Sequence, residues 1–279
     1  MRFIPMTVLC AAGLSCAALA QDTTPVQPAP EEHMAGEPVP QASSEEAAAA
    51  LADNAKEAPE PEAAKPLAPD AELLKKLAEE SRKIYAVQDL PPIYPWMLRQ
   101  NLLRADWLGQ RYRDKTLYEP INVIIRDSSA DSGKEAEEQL MSACRHAKFL
   151  YRFGHSSDYL AVIDGQAVSP FPGRRRYSFS DRPFETNNNH GRIFGPIRYK
   201  GKYYFVGAFS REKVRVAPPV THKYVSFNQA RDAFAWSLDW GGYYKITGFV
   251  PLGNAVLGST QAWTGDHDGT AILLDAIDK

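Results

Sequence analysis

Cysteine is scarce in this 279-residue chain: three in all, two of them (Cys10 and Cys16) within the first sixteen residues. Beyond that stretch only Cys144 remains, so no intramolecular disulfide can staple the folded part, and an apolar core has to hold it. Net charge is also small, −2 with histidine neutral, which excludes the strongly basic profile of a committed nucleic-acid binder. After the first twenty residues no apolar run approaches the roughly 20 residues that a membrane-crossing helix needs, so no transmembrane segment is expected in the mature chain. Gly-x-Ser-x-Gly elbows and His-x-x-x-His or Glu-x-x-His spacings are absent as well. Serine-hydrolase elbows and helical zinc sites therefore have no support in the residue spacing, and no cofactor is implied.

What is present is uneven. Residues 21–70 hold eleven Asp and Glu against Lys56 and Lys65, whereas 71–279 carry a net +6. The acidic stretch also holds nine of the 21 prolines and almost no aromatic or β-branched residues. Such a segment cannot bury enough apolar area to offset an ordering entropy of roughly 1–2 kcal/mol per residue. It reads as a disordered, self-repelling linker over 21–68. Ahead of it, Arg2, an apolar run from Thr7 to Leu19 and Ala18-Leu19-Ala20 before Gln21 fit a cleaved signal peptide over 1–20, and hence a periplasmic or secreted location. Cys16 would permit lipid attachment instead, but Gly13 stands where an aliphatic residue is usual.

The rest predicts an α+β fold, a mostly antiparallel sheet covered by a few helices and preceded by the disordered arm. Asp70 caps a helix with Leu73, Leu74, Leu77 and Ala78 on one face. A prolyl break at 90–95 follows it, then a second amphipathic piece near 97–107, giving a helical segment over 69–117 that packs on the body. Residues 118–279 form the α+β domain: a buried strand at 120–126, a helix at 134–148 holding a buried Cys144, and a loop-like stretch at 164–188. Further strands are expected at 190–199, 202–211, 219–225, 243–251 and 270–276. Ser226 caps one more helix, with Phe227, Ala230, Phe234 and Leu238 on its apolar face and Gly241-Gly242 at its end.

The order of several short motifs carries a resemblance. Asn122-Val123-Ile124-Ile125, Asn189-His190-Gly191-Arg192-Ile193, Phe205-Val206-Gly207-Ala208-Phe209-Ser210, Thr221-His222, Ala230-Arg231-Asp232 and Asp268-Gly269 follow one another over 118–276. That series resembles the LssY-like C-terminal domain of bacterial envelope proteins, named for a proposed type I secretion component. The resemblance implies an envelope protein without defined chemistry. It carries over His190 and Arg192, Thr221 and His222, Arg231 and Asp232, and Asp268 as one candidate polar site. The chain departs from the pattern before the Arg-Asp pair, where Asn228 and Ala230 replace acidic residues.

Residue chemistry leaves two uses for that site. Two-residue spacing puts His190 and Arg192 on one face of a strand, where a fork-like guanidinium and a titratable imidazole could hold a phosphate or carboxylate. The same residues could equally form a buried network balanced by Asp232 and Asp268. Arg174, Arg175 and Arg176, followed by Tyr177 and Phe179, have the profile of an anion-binding loop for an envelope ligand. Asp266-His267-Asp268 reads as a solvated loop rather than a metal site, because adjacent residues rarely aim at one ion. The leading expectation is a binding or structural envelope protein; the alternative is an envelope hydrolase of phosphate or ester groups using the His/Arg cluster.

Overall fold

The computed structural model describes residues 70–84, 89–153, 158–173, 177–217 and 219–277. The expected signal peptide over 1–20, the expected linker over 21–68 and Arg174, Arg175 and Arg176 lie outside the described residues.

Along the chain run α1 (Ala71–Ile84), β1 (Leu98–Arg99), β2 (Asp106–Tyr112), β3 (Lys115–Tyr118), β4 (Val123–Asp127), α2 (Gly133–His146), β5 (Leu150–Phe153), β6 (Tyr159–Ile163), β7 (Gln166–Val168), β8 (Tyr177–Ser180), β9 (Asn188–Tyr199), β10 (Lys202–Arg215), β11 (Thr221–Ser226), α3 (Phe227–Trp240), β12 (Tyr244–Pro251), β13 (Ala262–Trp263) and β14 (Thr270–Ala276). Three helices and mostly antiparallel strands make an α+β fold. Eight strands form the main sheet in the order β12-β14-β4-β10-β9-β8-β5, with β11 added to β10. Only β14 and β4 run parallel within it.

Strand alternation divides the core between the two faces of this sheet. Val123, Ile125, Phe205, Phe209, Ile272 and Leu274 meet Leu140 and Cys144 of α2 and Phe234 and Leu238 of α3 on one side. Their neighbours Ile124, Tyr204, Val206, Ala271 and Leu273 point the other way, onto Leu90, Ile93, Met97, Ala161 and Ile163. Leu77 of α1 packs beyond that layer against Trp96, Leu98 and Val162. Burial also keeps the Cys144 thiol protonated by pushing its pKa up.

The helix ends follow from their capping residues. Asp70 Oδ1 accepts from the amides of Glu72 and Leu73, Ser132 from that of Glu135, and Ser226 from that of Gln229, each satisfying orphan donors of a first turn. No helix among the described residues is long and apolar enough to cross a membrane.

Two expected stretches differ. Residues 97–107 are not a helical piece but β1 and the start of β2. Their amides are taken by other strands, Met97 donating to the Glu119 carbonyl and Ala105 to that of Met97, and Leu102 turns the chain with a φ of 61°. The segment 69–117 is thus helical only in α1. The stretch 164–188 contains β7 and β8, and β8 is inserted between β5 and β9. Ser178, Phe179 and Ser180 are all buried there, so the alternation that marks a one-sided strand is missing.

Candidate functional site

The register of β9 on β10 sets His190 opposite Ser210 and Asn188 opposite Glu212. Cross-strand partners share a face, so four polar side chains meet there. Gly191 lets the strands close up at this point: a Cβ on it would lie 2.5 Å from the Phe209 ring. β11 lies along the other side of β10 and brings in His222.

The resulting hydrogen bonds run in one chain. His190 Nδ1 lies 2.8 Å from Asn188 Oδ1 and 3.7 Å from Glu212 Oε1, both acceptors, so the imidazole proton sits on Nδ1. Nε2 is then free to accept from the Ser210 hydroxyl at 3.4 Å. Trp107 of β2 donates its indole N–H to the same hydroxyl at 3.2 Å. The Asn188 amide donates to Glu212 Oε1 at 2.8 Å, and His222 Nδ1 lies 2.9 Å from Glu212 Oε2. Only His222 reaches the surface, with about a third of its side chain exposed. The remaining members are buried.

Arg192 and Glu119 are buried close enough to this network for their charges to act on it and on each other. The Arg192 guanidinium stands 4.3 Å from the Tyr159 ring centroid. Burial pushes the Glu119 carboxyl up to about 7, and the nearby charge of Arg192 opposes that rise. Burial likewise lowers His190 to about 4, with Glu212 opposing and Arg192 reinforcing the fall. Arg192 is itself lowered by burial. At neutral pH His190 is an uncharged link, and Arg192 is the buried cation facing Glu119.

The other expected members belong to a second cluster. Arg231 of α3 holds Asp232 at 2.8 Å through Nε, and Asp268 at 2.8 and 3.0 Å through Nη1, which also donates to Thr270. Burial disfavours the Asp268 carboxylate, but hydrogen bonds from Arg231 and Thr270 outweigh it and hold the pKa below the usual range. The seven residues expected at one site are therefore divided by their hydrogen bonds into two groups, His190, Arg192 and His222 on β9–β11, and Arg231, Asp232 and Asp268 where α3 meets β14. The split arises because Nε and Nη1 of Arg231 are engaged by Asp232, Asp268 and Thr270 in its own neighbourhood. Thr221 is exposed on β11 and joins neither cluster.

The 266–268 loop is likewise more than solvated. Asp266 accepts from the hydroxyls of Tyr224 and Ser226 and from the Phe227 amide, anchoring the first turn of α3. His267 is buried, with Nε2 2.7 Å from Asn254 Oδ1. Among the described residues no group of three or more His, Cys, Asp or Glu is placed to hold a metal ion.

Glu119, Asn188, Glu212 and Trp107 were not expected at the site. A cross-strand count from the Tyr199–Lys202 turn would have reached Asn188 and Glu212, but a register shift between Tyr204 and Val206 moves every later pair by one. The chain matches no family model, no curated protein and no solved structure.

Proposed function

We propose that this is an exported protein of the bacterial cell envelope, with an LssY-like domain that works by binding, and that the His190–Glu212 network is the clamp that keeps its binding surfaces in place. The observation that supports this is saturation. Ser210, His190, Asn188 and Glu212 each have internal partners, and Trp107 ties β2 to the main sheet through Ser210. A buried polar network completed in this way specifies how layers dock. The signal-like residues 1–20 and the acidic arm support the export part of the reading, the arm acting as a spacer.

One geometric observation favours the hydrolase alternative. Ser210 Oγ, His190 and the Glu212 carboxylate stand in the order of a nucleophile, its base and an orienting acid. Against it, Ser210 is only 2 % exposed and its oxygen already accepts from Trp107.

The pair His222→Ala and Arg192→Met separates the readings. Thermal unfolding is followed with and without phosphate, magnesium and zinc, alongside p-nitrophenyl phosphate and acetate turnover. A clamp predicts lost stability, about 2–4 kcal/mol for Arg192→Met, with no ligand response to lose. A stable variant that forfeits turnover or a ligand-induced shift overturns the clamp reading.

A further inference from the structure

β10 outlasts the strand beside it. β9 accompanies β10 only as far as the Asn188–Glu212 pair. From Lys213 onward β11 is the one described strand at its side, pairing Lys213 with Lys223, Val214 with His222 and Arg215 with Thr221. The base of this hairpin is anchored. His222 Nδ1 lies 2.9 Å from Glu212 Oε2, the Val214 amide donates to Asn187 Oδ1 at 2.9 Å, and the Tyr224 ring meets Trp107 and Tyr112 edge to face. Its far end is exposed.

Two features of that end run against stability and solubility. Alternation sets Lys213, Arg215 and Lys223 on one face, with Lys213 and Lys223 directly opposite. Like charges so placed repel, and no described residue brings a carboxylate within ion-pair distance of any of the three. Beyond these cations the sequence carries no charge from Val216 to Val220. Val216 is 63 % exposed and Val220 58 %, and Ala217 and Pro219 are exposed as well. Solubility alone favours charges of mixed sign and few exposed apolar side chains.

We propose that this hairpin docks the protein on an anionic lipid surface. Val216 and Val220 enter the headgroup layer, and Lys213, Arg215 and Lys223 meet lipid phosphates beside them. Apolar side chains gain by leaving water, and each cation held at an anionic membrane adds about fivefold to affinity. The lipid phosphates also relieve the repulsion between Lys213 and Lys223. A polyanion such as DNA or a wall polymer could satisfy the cations but would leave the valines in water. Charge disfavours a second copy, because pairing through this face brings three cations of each chain towards those of the other. This inference rests on the binding reading above and names the surface that is bound.

Co-sedimentation of the full chain with vesicles tests it. Vesicles of phosphatidylglycerol and phosphatidylcholine in equal parts should bind the protein, about a hundredfold more tightly than phosphatidylcholine alone. Lys223→Glu should weaken that binding about tenfold or more. It should leave the thermal midpoint unchanged or higher, because it turns a repulsive cross-strand pair into an attractive one. Val216→Asp should also weaken binding about tenfold or more, with the midpoint unchanged because the side chain is exposed. Arg145→Glu reverses an exposed cation outside the hairpin and should weaken binding about twofold or less. Six outcomes overturn the proposal: no binding to the mixed vesicles; binding indifferent to Val216→Asp; Arg145→Glu as damaging as Lys223→Glu; a midpoint that falls in Lys223→Glu; binding of heparin without binding of vesicles; or a sedimenting dimer that Val216→Asp dissolves. None of these variants touches Arg192, Tyr159 or Glu119, so Arg192→Met tests the clamp independently and the two readings fail separately.

Discussion

Replacing Arg192 with Met removes the one buried cation beside Glu119 while keeping much of the side chain's volume. Two losses follow. The stack over Tyr159, at 4.3 Å from the ring centroid, is worth about 1–2 kcal/mol at a buried site. The second loss depends on pH. Glu119 titrates at about 7 in the fold, so at pH 8 the variant strands a buried carboxylate, adding about 1–2 kcal/mol. At pH 5 that carboxyl is protonated and needs no counter-charge. His190, freed from the repulsion of Arg192, also accepts a proton more easily. The expected cost is therefore about 2–4 kcal/mol at pH 8 and about 1–2 kcal/mol at pH 5. At roughly 3 °C per kcal/mol for a body of this size, the midpoint should fall about 6–12 °C at pH 8 and about 3–6 °C at pH 5. Thermal unfolding followed by tryptophan fluorescence at pH 5, 6, 7 and 8 reads both. A midpoint at pH 8 within about 1 °C of the parent, or a larger loss at pH 5, refutes the reasoning.

Three further outcomes are expected. His190 and His267 are both lowered from 6.5 to about 4 by burial, so their stability is present above about pH 6.5 and is lost as pH falls through 4; Glu119, raised from 4.5 to about 7, contributes in the opposite sense, its stability present below about 4.5 and lost as pH rises through 7. Glu119→Gln should accordingly steepen the acid loss between pH 6.5 and 4.5 in urea titrations, and an unchanged slope would count against the buried carboxyl. Gly265→Ala puts a Cβ 1.9 Å from the Tyr224 hydroxyl at a φ of 60°, which should displace Tyr224 from Asp266 at a cost of about 2–4 kcal/mol; Gly242→Ala, at φ 72° with open space around it, should cost only about 1 kcal/mol, and equal losses would show that strain rather than the clash decides. Under the export reading, intact-mass measurement of native protein should find Gln21 at the N-terminus, and a lipid adduct on Cys16 or a retained Met1 would contradict it.

The long strands were legible because they are extended runs rich in β-branched and aromatic residues. β9, β10, β12 and β14 lie within a few residues of their expected spans, and Asp70 and Ser226 mark helix starts by chemistry that acts locally. β6 escaped notice because all five of its residues are buried, which leaves no alternation to detect. The apolar spacing of Leu98, Leu102 and Trp107 imitates a helix, yet tertiary pairing claims their backbone. At the site, His190 and His222 both approach the carboxylate of Glu212. Glu212 and Glu119 gave no signal, since a lone glutamate in a strand looks like any solvated one until its neighbours are known. Arg231 went elsewhere because Asp268 and Thr270, fixed by the turn into β14, reach it first.

β14 follows every other described strand in the sequence, yet it lies between β12 and β4. Its parallel pairing joins Ile272 to Val123, and β12 has β14 as its sole neighbour in the sheet. A chain emerging from its N-terminus therefore waits with β4 open on one side and β12 unpaired until residues 270–276 arrive. Late closure of this kind is slow and leaves strand edges uncovered meanwhile. A ribosome that stops before Thr270, or a protease that cuts there, leaves β12 detached from β4, because the strand that joins them is missing.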